Sequence, residues 1–158
     1  MSVVDVYGYS VFCDDVRQEV NAKQSFMGVY PNAMSIHGTF PASIPKLCIS
    51  IYFCELQALA EKRDWIIPIA VFGPGESFDN PALKGELPAP DENYINSLKN
   101  FPKYANADEL YAVANINISF IPLLIKEPGW LKVRARYNDR IIRLGSIRVD
   151  PGPIPQPT

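Results

Sequence analysis

Histidine is almost missing from this chain of 158 residues, because His37 is the only one. A zinc site needs several His or Cys ligands at short spacings, and a nucleophilic Ser or Cys needs a general base beside it. One histidine leaves very few ways to build either arrangement, so we expect a protein that is not an enzyme and that holds no cofactor. For His37, at a predicted strand end, a structural role is favoured over catalysis.

Cysteine is also scarce, and Cys13, Cys48 and Cys54 contain no CxxC spacing. If residues 47–53 form a strand, Cys48 and Cys54 lie roughly 20 Å apart at about 3.3 Å per residue, too far for a disulfide. The sequence therefore favours reduced thiols and a cytoplasmic location.

Long apolar runs are missing as well. None approaches the roughly 18 to 20 residues that span a bilayer, and the N-terminus shows no basic region followed by a hydrophobic segment. We expect neither export nor a membrane partner. The formal charge of −2 gives no general attraction to nucleic acid, which is disfavoured as a partner.

Proline, in contrast, is abundant at fifteen residues, scattered between apolar runs. This distribution suits many short strands better than long helices. Residues 46–56 are nearly all apolar and predict a central strand buried on both faces. Residues 65–72 predict a strand at a sheet edge or beside a bulge, because Pro68 cannot donate to a ladder. Period-two patterns predict the remaining strands at residues 3–13, 23–30, 33–37, 112–125, 130–137 and 140–149. Turn chemistry at Asp14-Asp15 and at Asn21-Ala22 separates the first two of these strands.

The predicted fold is all-β, an antiparallel β-sandwich of about seven to nine strands. Residues 1–150 form its single domain, with a long irregular surface insertion at about 73–106. Within the insertion, residues 91–100 favour a short helix capped by Asp91. Residues 151–158 are rich in proline and predict a loose tail.

The strongest local signal is a basic hairpin with a turn at Asn138-Asp139. Its basic residues are the candidate partner-binding residues: Lys132, Arg134, Arg136, Arg140, Arg143 and Arg148. Guanidinium groups pair well with oxyanions, yet charged side chains are also the usual way to keep a sheet soluble. Three interpretations stay open: a solvated face, a site for an acidic protein patch, and a site for nucleic acid.

An acidic cluster of Asp14, Asp15 and Glu19 lies beside Arg17. Carboxylates suit magnesium or calcium, but no further ligand completes a site, so turn capping and surface charge are favoured over a metal.

Both ends of the chain resemble a family of small uncharacterised bacterial proteins, a domain of unknown function. At the N-terminal end, residues 12–30 carry an acidic turn, a lysine and then a glycine followed by an aromatic, before Phe40-Pro41 and residues 45–48. At the C-terminal end, residues 128–130 and 144–149 are similar. The resemblance implies a cytosolic bacterial β-sandwich and supplies no active-site residues.

The first functional hypothesis is a non-catalytic protein-interaction or assembly module, of unknown pathway, that presents a sheet face or edge to a partner or to a second copy. An alternative is a binder of an anionic ligand or nucleic acid through the basic hairpin. A third is a metal-dependent hydrolase that uses Asp14, Asp15 and Glu19.

Overall fold

The computed structural model describes residues 4–100 and 110–153, which form eleven strands and two short α-helices. The described chain is all-β, as the sequence predicts. In chain order the elements are β1 (Val6–Gln18), a 3-10 turn (Val20–Ala22), β2 (Gln24–Val29), β3 (Ala33–Ile36), β4 (Ala42–Ile44), β5 (Leu47–Leu56), α1 (Gln57–Ala60), β6 (Ile67–Phe72), β7 (Leu83–Leu87), α2 (Glu92–Lys99), β8 (Tyr111–Phe120), β9 (Leu123–Ile125), β10 (Gly129–Tyr137) and β11 (Arg140–Pro151).

A four-stranded antiparallel sheet has the order β2-β1-β5-β8. The predicted central strand is confirmed, since β5 lies between β1 and β8 and is buried on both faces. The predicted turn at Asp14 and Asp15 is wrong, because β1 continues through them to Gln18. The turn predicted at Asn21-Ala22 is confirmed, because the chain turns there with φ angles of 63° and 57° in the left-handed region.

A five-stranded sheet has the order β3-β11-β10-β6-β7 and is mixed, because β3 runs parallel to β11. Strand β6 is internal, between β10 and β7, so its prediction as an edge strand is wrong. Pro68 is tolerated because it is the second residue of β6, and the ladder with β10 begins only at Ile69.

The predicted surface insertion is not irregular throughout. Strand β7 extends the five-stranded sheet beyond β6, and the helix predicted near residue 91 is confirmed as α2. Asp91 caps it, because Asp91 Oδ1 accepts a hydrogen bond of 2.7 Å from the Tyr94 amide. Residues 101–106 of the predicted insertion lie outside the described residues.

The ordered sheet extends slightly past the predicted domain end at residue 150. Pro151 is still in β11, and the Gly152 amide donates to Ile36 O at 2.7 Å. Residues 154–158 of the predicted tail lie outside the described residues.

Both larger sheets supply side chains to one apolar core. Ile51 and Phe53 come from the four-stranded sheet, and Leu131 and Ile147 come from the five-stranded sheet. Where β1 crosses β11, Ser10 Oγ donates to the carbonyl oxygen of Leu144 at 2.7 Å. Strands β4 and β9 form a separate two-stranded sheet. Within the described ranges the strands number eleven, more than predicted, and no helix is long and apolar enough to cross a bilayer.

Candidate interaction surfaces

The basic hairpin forms as predicted from β10 and β11. Tyr137 pairs with Arg140 across a two-residue turn, in which Asn138 has a φ of 52°. A β-bulge interrupts the ladder, because Val133 pairs with Gly145 and Arg134 pairs with Arg143. The bulge leaves Leu144 as an extra residue that points into the core.

The bulge determines which basic side chains share a face. Arg143 and Arg148 are an odd number of residues apart, so in a regular strand they would lie on opposite faces. Because of the extra residue, Arg143 and Arg148 lie on the same face. There Arg143 pairs with Arg134 and Arg148 pairs with Trp130 on the neighbouring strand. The outer face of the hairpin thus carries five of the six predicted residues: Lys132, Arg134, Arg136, Arg143 and Arg148.

Arg140 is the exception to the predicted basic face. It pairs with the buried Tyr137, so it belongs to the opposite side of the hairpin, where its guanidinium carbon lies 5.9 Å from the Tyr137 ring. Period-two counting along β11 from Arg140 fails at the bulge. Gly145 is the sequence signal that could have found it, because an isolated glycine inside a strand pattern often marks a bulge.

Two of the five outer charges are paired with acids. Arg136 contacts Asp79 at 3.2 Å, and its guanidinium lies 4.5 Å from the centre of the Phe78 ring. Arg148 Nε donates to both carboxylate oxygens of Asp150 at 2.9 Å. These pairs reduce the positive charge that the face can offer to a partner.

Arg134 is occupied by the backbone of the bulge. Its Nη1 donates to Val133 O and Gly145 O, each at 2.8 Å, and burial and then the charge of Arg143 lower the pKa of Arg134. No acid in the described parts of the chain forms an ion pair with Lys132 or Arg143. The unneutralised part of the basic face is therefore small.

The predicted acidic cluster does not assemble. Asp14 and Asp15 are successive residues of β1 and point to opposite faces. Tyr30 OH donates to Asp14 at 2.5 Å, and this hydrogen bond, with burial, raises the pKa of Tyr30 to about 12. Lys46 Nζ donates to Asp15 at 2.6 Å. Among the residues that the structure describes, no group of three or more His, Cys, Asp or Glu side chains could hold a metal ion. Glu19 therefore does not form a metal site with Asp14 and Asp15.

A surface that the sequence analysis did not single out is the free edge of β8. On one side β8 pairs with β5 over ten positions, and no described strand pairs with its other side. Its sequence, YAVANINISF, contains no charge, no proline and no glycine. A long uncharged edge of this kind is what most proteins avoid, because its unpaired N–H and C=O groups attract another strand.

The other edges of the two larger sheets are shorter and more irregular. Strand β7 has five residues, of which Lys84 and Glu86 are charged, and β3 has only four residues. Strand β2 has six residues and includes Gly28 with a φ of 63°. Length, charge or backbone geometry therefore weakens each of these edges as a template, and β8 has none of these defences.

The core is incompletely covered at β8. Its inward residues Ala114, Ile116 and Ile118 are only half-buried. Their partners on β5 are Phe53, Ile51 and Ile49, which are at most 1% exposed. The apolar layer thus continues to the sheet edge and stops there without a cover from the described residues.

The outer face beside β8 is polar but uncharged. Asn115 Nδ2 donates to Ser50 Oγ at 2.9 Å and to Ile51 O at 3.2 Å, and its Oδ1 accepts from Gln24 Nε2 at 2.8 Å. On the neighbouring strands, Tyr9 and Tyr52 stack with ring centres 4.7 Å apart. Tyrosine enrichment and charge depletion are typical of the central part of protein interfaces.

A buried ion pair lies near one end of the core. Arg63 Nε contacts Glu55 Oε2 at 3.1 Å, and Tyr137 OH donates to Glu55 Oε1 at 2.8 Å. Burial, followed by the hydrogen bond to Glu55, raises the pKa of Tyr137. Arg63 Nη1 also donates to the carbonyl oxygens of Trp65 and Pro88. These contacts fix the chain after α1 and the end of β7 to the core.

The ion pair borders a cavity of about 280 Å³ between β5, the end of β7 and α2. The cavity wall is largely apolar and includes Leu87, Tyr94 and Ala112. Within the described residues no buried side-chain nitrogen or oxygen lacks a hydrogen-bond partner, so the polar groups here are already satisfied. The ion pair and its hydrogen bonds therefore have a structural role, because they hold the segments around the cavity together.

Comparison with known proteins finds no matching family model, no matching curated protein and no matching solved structure. The resemblance of the two chain ends to a family of small bacterial proteins therefore stays a prediction.

Proposed function

We propose that this protein is a non-catalytic interaction or assembly module that binds a β-strand of a partner along the free edge of β8. The observation that carries the proposal is this ten-residue edge, which has no charge, proline or glycine and no partner among the described residues. Strand addition to such an edge gains main-chain hydrogen bonds over its whole length.

The half-buried apolar residues of β8 add a hydrophobic reason for the same interaction. A strand docked on the edge would cover the remaining exposed area of Ile116 and Ile118. Full burial of one aliphatic side chain is worth roughly 1.5–3 kcal/mol, so covering the remainder is worth about 1 kcal/mol for each isoleucine.

We also propose the finer features of the fold and location. The core shared by the two larger sheets supports a β-sandwich architecture, to which β4 and β9 add a small third sheet. The three free, buried cysteines support a cytoplasmic location. The resemblance of the chain ends supports a bacterial origin.

The proposal is tested by affinity capture from native cells followed by mass spectrometry. The test variant is Ile116→Lys, because an inward-pointing charge on an edge strand opposes strand addition. The matched control is Ile36→Lys, which places the same charge at another half-buried isoleucine, on the edge strand β3 of the other sheet. Circular dichroism establishes that both variants are folded.

We expect the wild type and Ile36→Lys to retain the same stoichiometric partner, and Ile116→Lys to lose at least nine-tenths of it. Equal capture by all three proteins would show that the β8 edge is not the interaction site.

A second candidate function is the binding of an anionic ligand through the outer face of the hairpin. It is favoured by the pairing of Arg134 with Arg143, near a Lys132 that forms no ion pair with a described residue. The test measures binding of a poly-glutamate peptide and of a single-stranded oligonucleotide at increasing salt. Lys132→Gln with Arg143→Gln should abolish binding, whereas Arg148→Gln should preserve it. Binding that does not weaken with salt would exclude this function.

A further inference from the structure

We infer that the strand bound at the β8 edge is β8 of a second copy of this chain, so that two four-stranded sheets join into one continuous sheet of eight strands. This inference rests on the proposed function and names the partner. The two copies of β8 run antiparallel about a twofold axis perpendicular to the sheet, and each contributes the same edge.

The absence of charge on β8 favours a copy of itself as the partner. Like charges placed directly opposite each other destabilise strand pairs, and self-pairing of a charged strand about a twofold axis often creates such contacts. Strand β8 has no charge, so its antiparallel self-pairing creates none. It also offers no charged group with which to select a foreign strand of opposite sign.

The alternation of β8 restricts the register. The core side of one copy must continue into the core side of the other, because a slip by one residue would turn the apolar residues outward. Residues that face each other must therefore both be even-numbered or both be odd-numbered. Two registers of this kind pair nine residues of each strand: one centred on Asn115 and one centred on Ile116.

The polarity of the outer face favours the register centred on Ile116. On the core side both registers place each small residue opposite a large one, because Ala114 faces Ile118 in the register centred on Ile116 and faces Ile116 in the other. Complementary sizes allow close packing without voids. On the outer face the register centred on Ile116 places Asn117 opposite the polar Asn115, whereas the register centred on Asn115 places Asn117 opposite the apolar Val113.

The oligomeric state is measured by sedimentation equilibrium from roughly 1 to 100 µM, which covers dissociation constants in the micromolar range. We expect the wild type and the control Ile36→Lys to show twice the monomer mass, and Ile116→Lys to remain a monomer. If Ile116→Lys does not fold, Asn117→Lys replaces it, because that side chain lies on the exposed outer face. A wild type that is monomeric throughout would overturn the inference.

The register is tested by disulfide trapping between two singly substituted chains. In an antiparallel pair, facing Cα atoms lie about 4.5–5.5 Å apart, within the reach of a disulfide. Mixing Asn115→Cys with Asn117→Cys should give a cross-linked heterodimer on oxidation, and neither variant alone should cross-link through the new residue. Cross-linking of Asn115→Cys with itself would refute the register centred on Ile116.

The two proposals fail in distinguishable ways. A monomeric wild type that still captures a foreign partner through Ile116 would refute self-pairing and support the proposed function. A monomeric wild type whose capture does not depend on Ile116 would refute both.

Discussion

The buried ion pair of Glu55 and Arg63 should respond sharply to the loss of its cation. Their side chains are 3% and 4% exposed, and their contact is 3.1 Å. Replacing Arg63 by Met leaves the carboxylate buried without a counter-charge, which typically costs about 3–5 kcal/mol. It also removes the donors to Trp65 O and Pro88 O. We therefore expect the free energy of unfolding of Arg63→Met to fall by about 3–5 kcal/mol.

Removing both charges should recover much of this loss. The double variant Glu55→Leu with Arg63→Met contains no unpaired charge, but it leaves the hydroxyl of Tyr137 without its acceptor. An unsatisfied buried hydroxyl costs about 1–3 kcal/mol, so the double variant should stay below the wild type. Adding Tyr137→Phe removes that hydroxyl, and the triple variant should be the most stable of the three variants.

The assay is urea unfolding followed by tryptophan fluorescence. Trp65 is a suitable probe because its ring centre lies 5.9 Å from that of Tyr137, beside the ion pair. The control is Arg148→Met, which breaks the exposed pair with Asp150 and should change the free energy of unfolding by less than about 1 kcal/mol. The reasoning would be refuted if Arg63→Met lost no more free energy of unfolding than the control. It would also be refuted if the triple variant were no more stable than Arg63→Met.

Two further outcomes follow from the four-stranded sheet. Cys13 and Cys48 face each other in the register of β1 and β5, so an oxidant should join them, slowly because burial raises the pKa of Cys13. Mass spectrometry of non-reduced peptides should show Cys54 still reduced, and a bridge to Cys54 instead would contradict the register. The raised pKa of Tyr30 means that its stabilising hydrogen bond to Asp14 is fully present below pH 10 and is lost as the pH rises through about 12. Urea unfolding between these pH values should show that the free energy of unfolding declines less steeply with pH for Tyr30→Phe than for the wild type. Equal pH dependence in the two proteins would contradict the assignment.

The elements that the sequence predicts well are those with a local signal. The apolar run of β5 indicates burial on both faces, and the hairpin is marked by period-two alternation around Asn138. The cap of α2 is predicted because Asp91 precedes a helical pattern. In each of these cases the information lies within about ten neighbouring residues.

The features that the sequence does not predict depend on contacts between distant segments. Strand β7 has only five residues, with Gly85 in the middle, and forms because β6 offers it an edge. Glu55 and Arg63 meet only after the chain folds back beyond α1. The β8 edge is the clearest case, because the alternation of the strand is visible in the sequence, whereas its position at the border of a sheet is a property of the topology.

The parallel pairing of β3 with β11 also constrains how the protein is made. A ribosome delivers Ala33 long before its partner Arg148, whereas β1, β2 and β5 all emerge early. We expect the nascent chain to assemble β2, β1 and β5 first and to expose the inner side of Phe53 until β10 and β11 emerge. Protease treatment of stalled ribosome complexes would detect this interval. Transiently exposed apolar surface is prone to aggregation, so we expect a shortage of chaperones in the host to reduce the yield of folded protein.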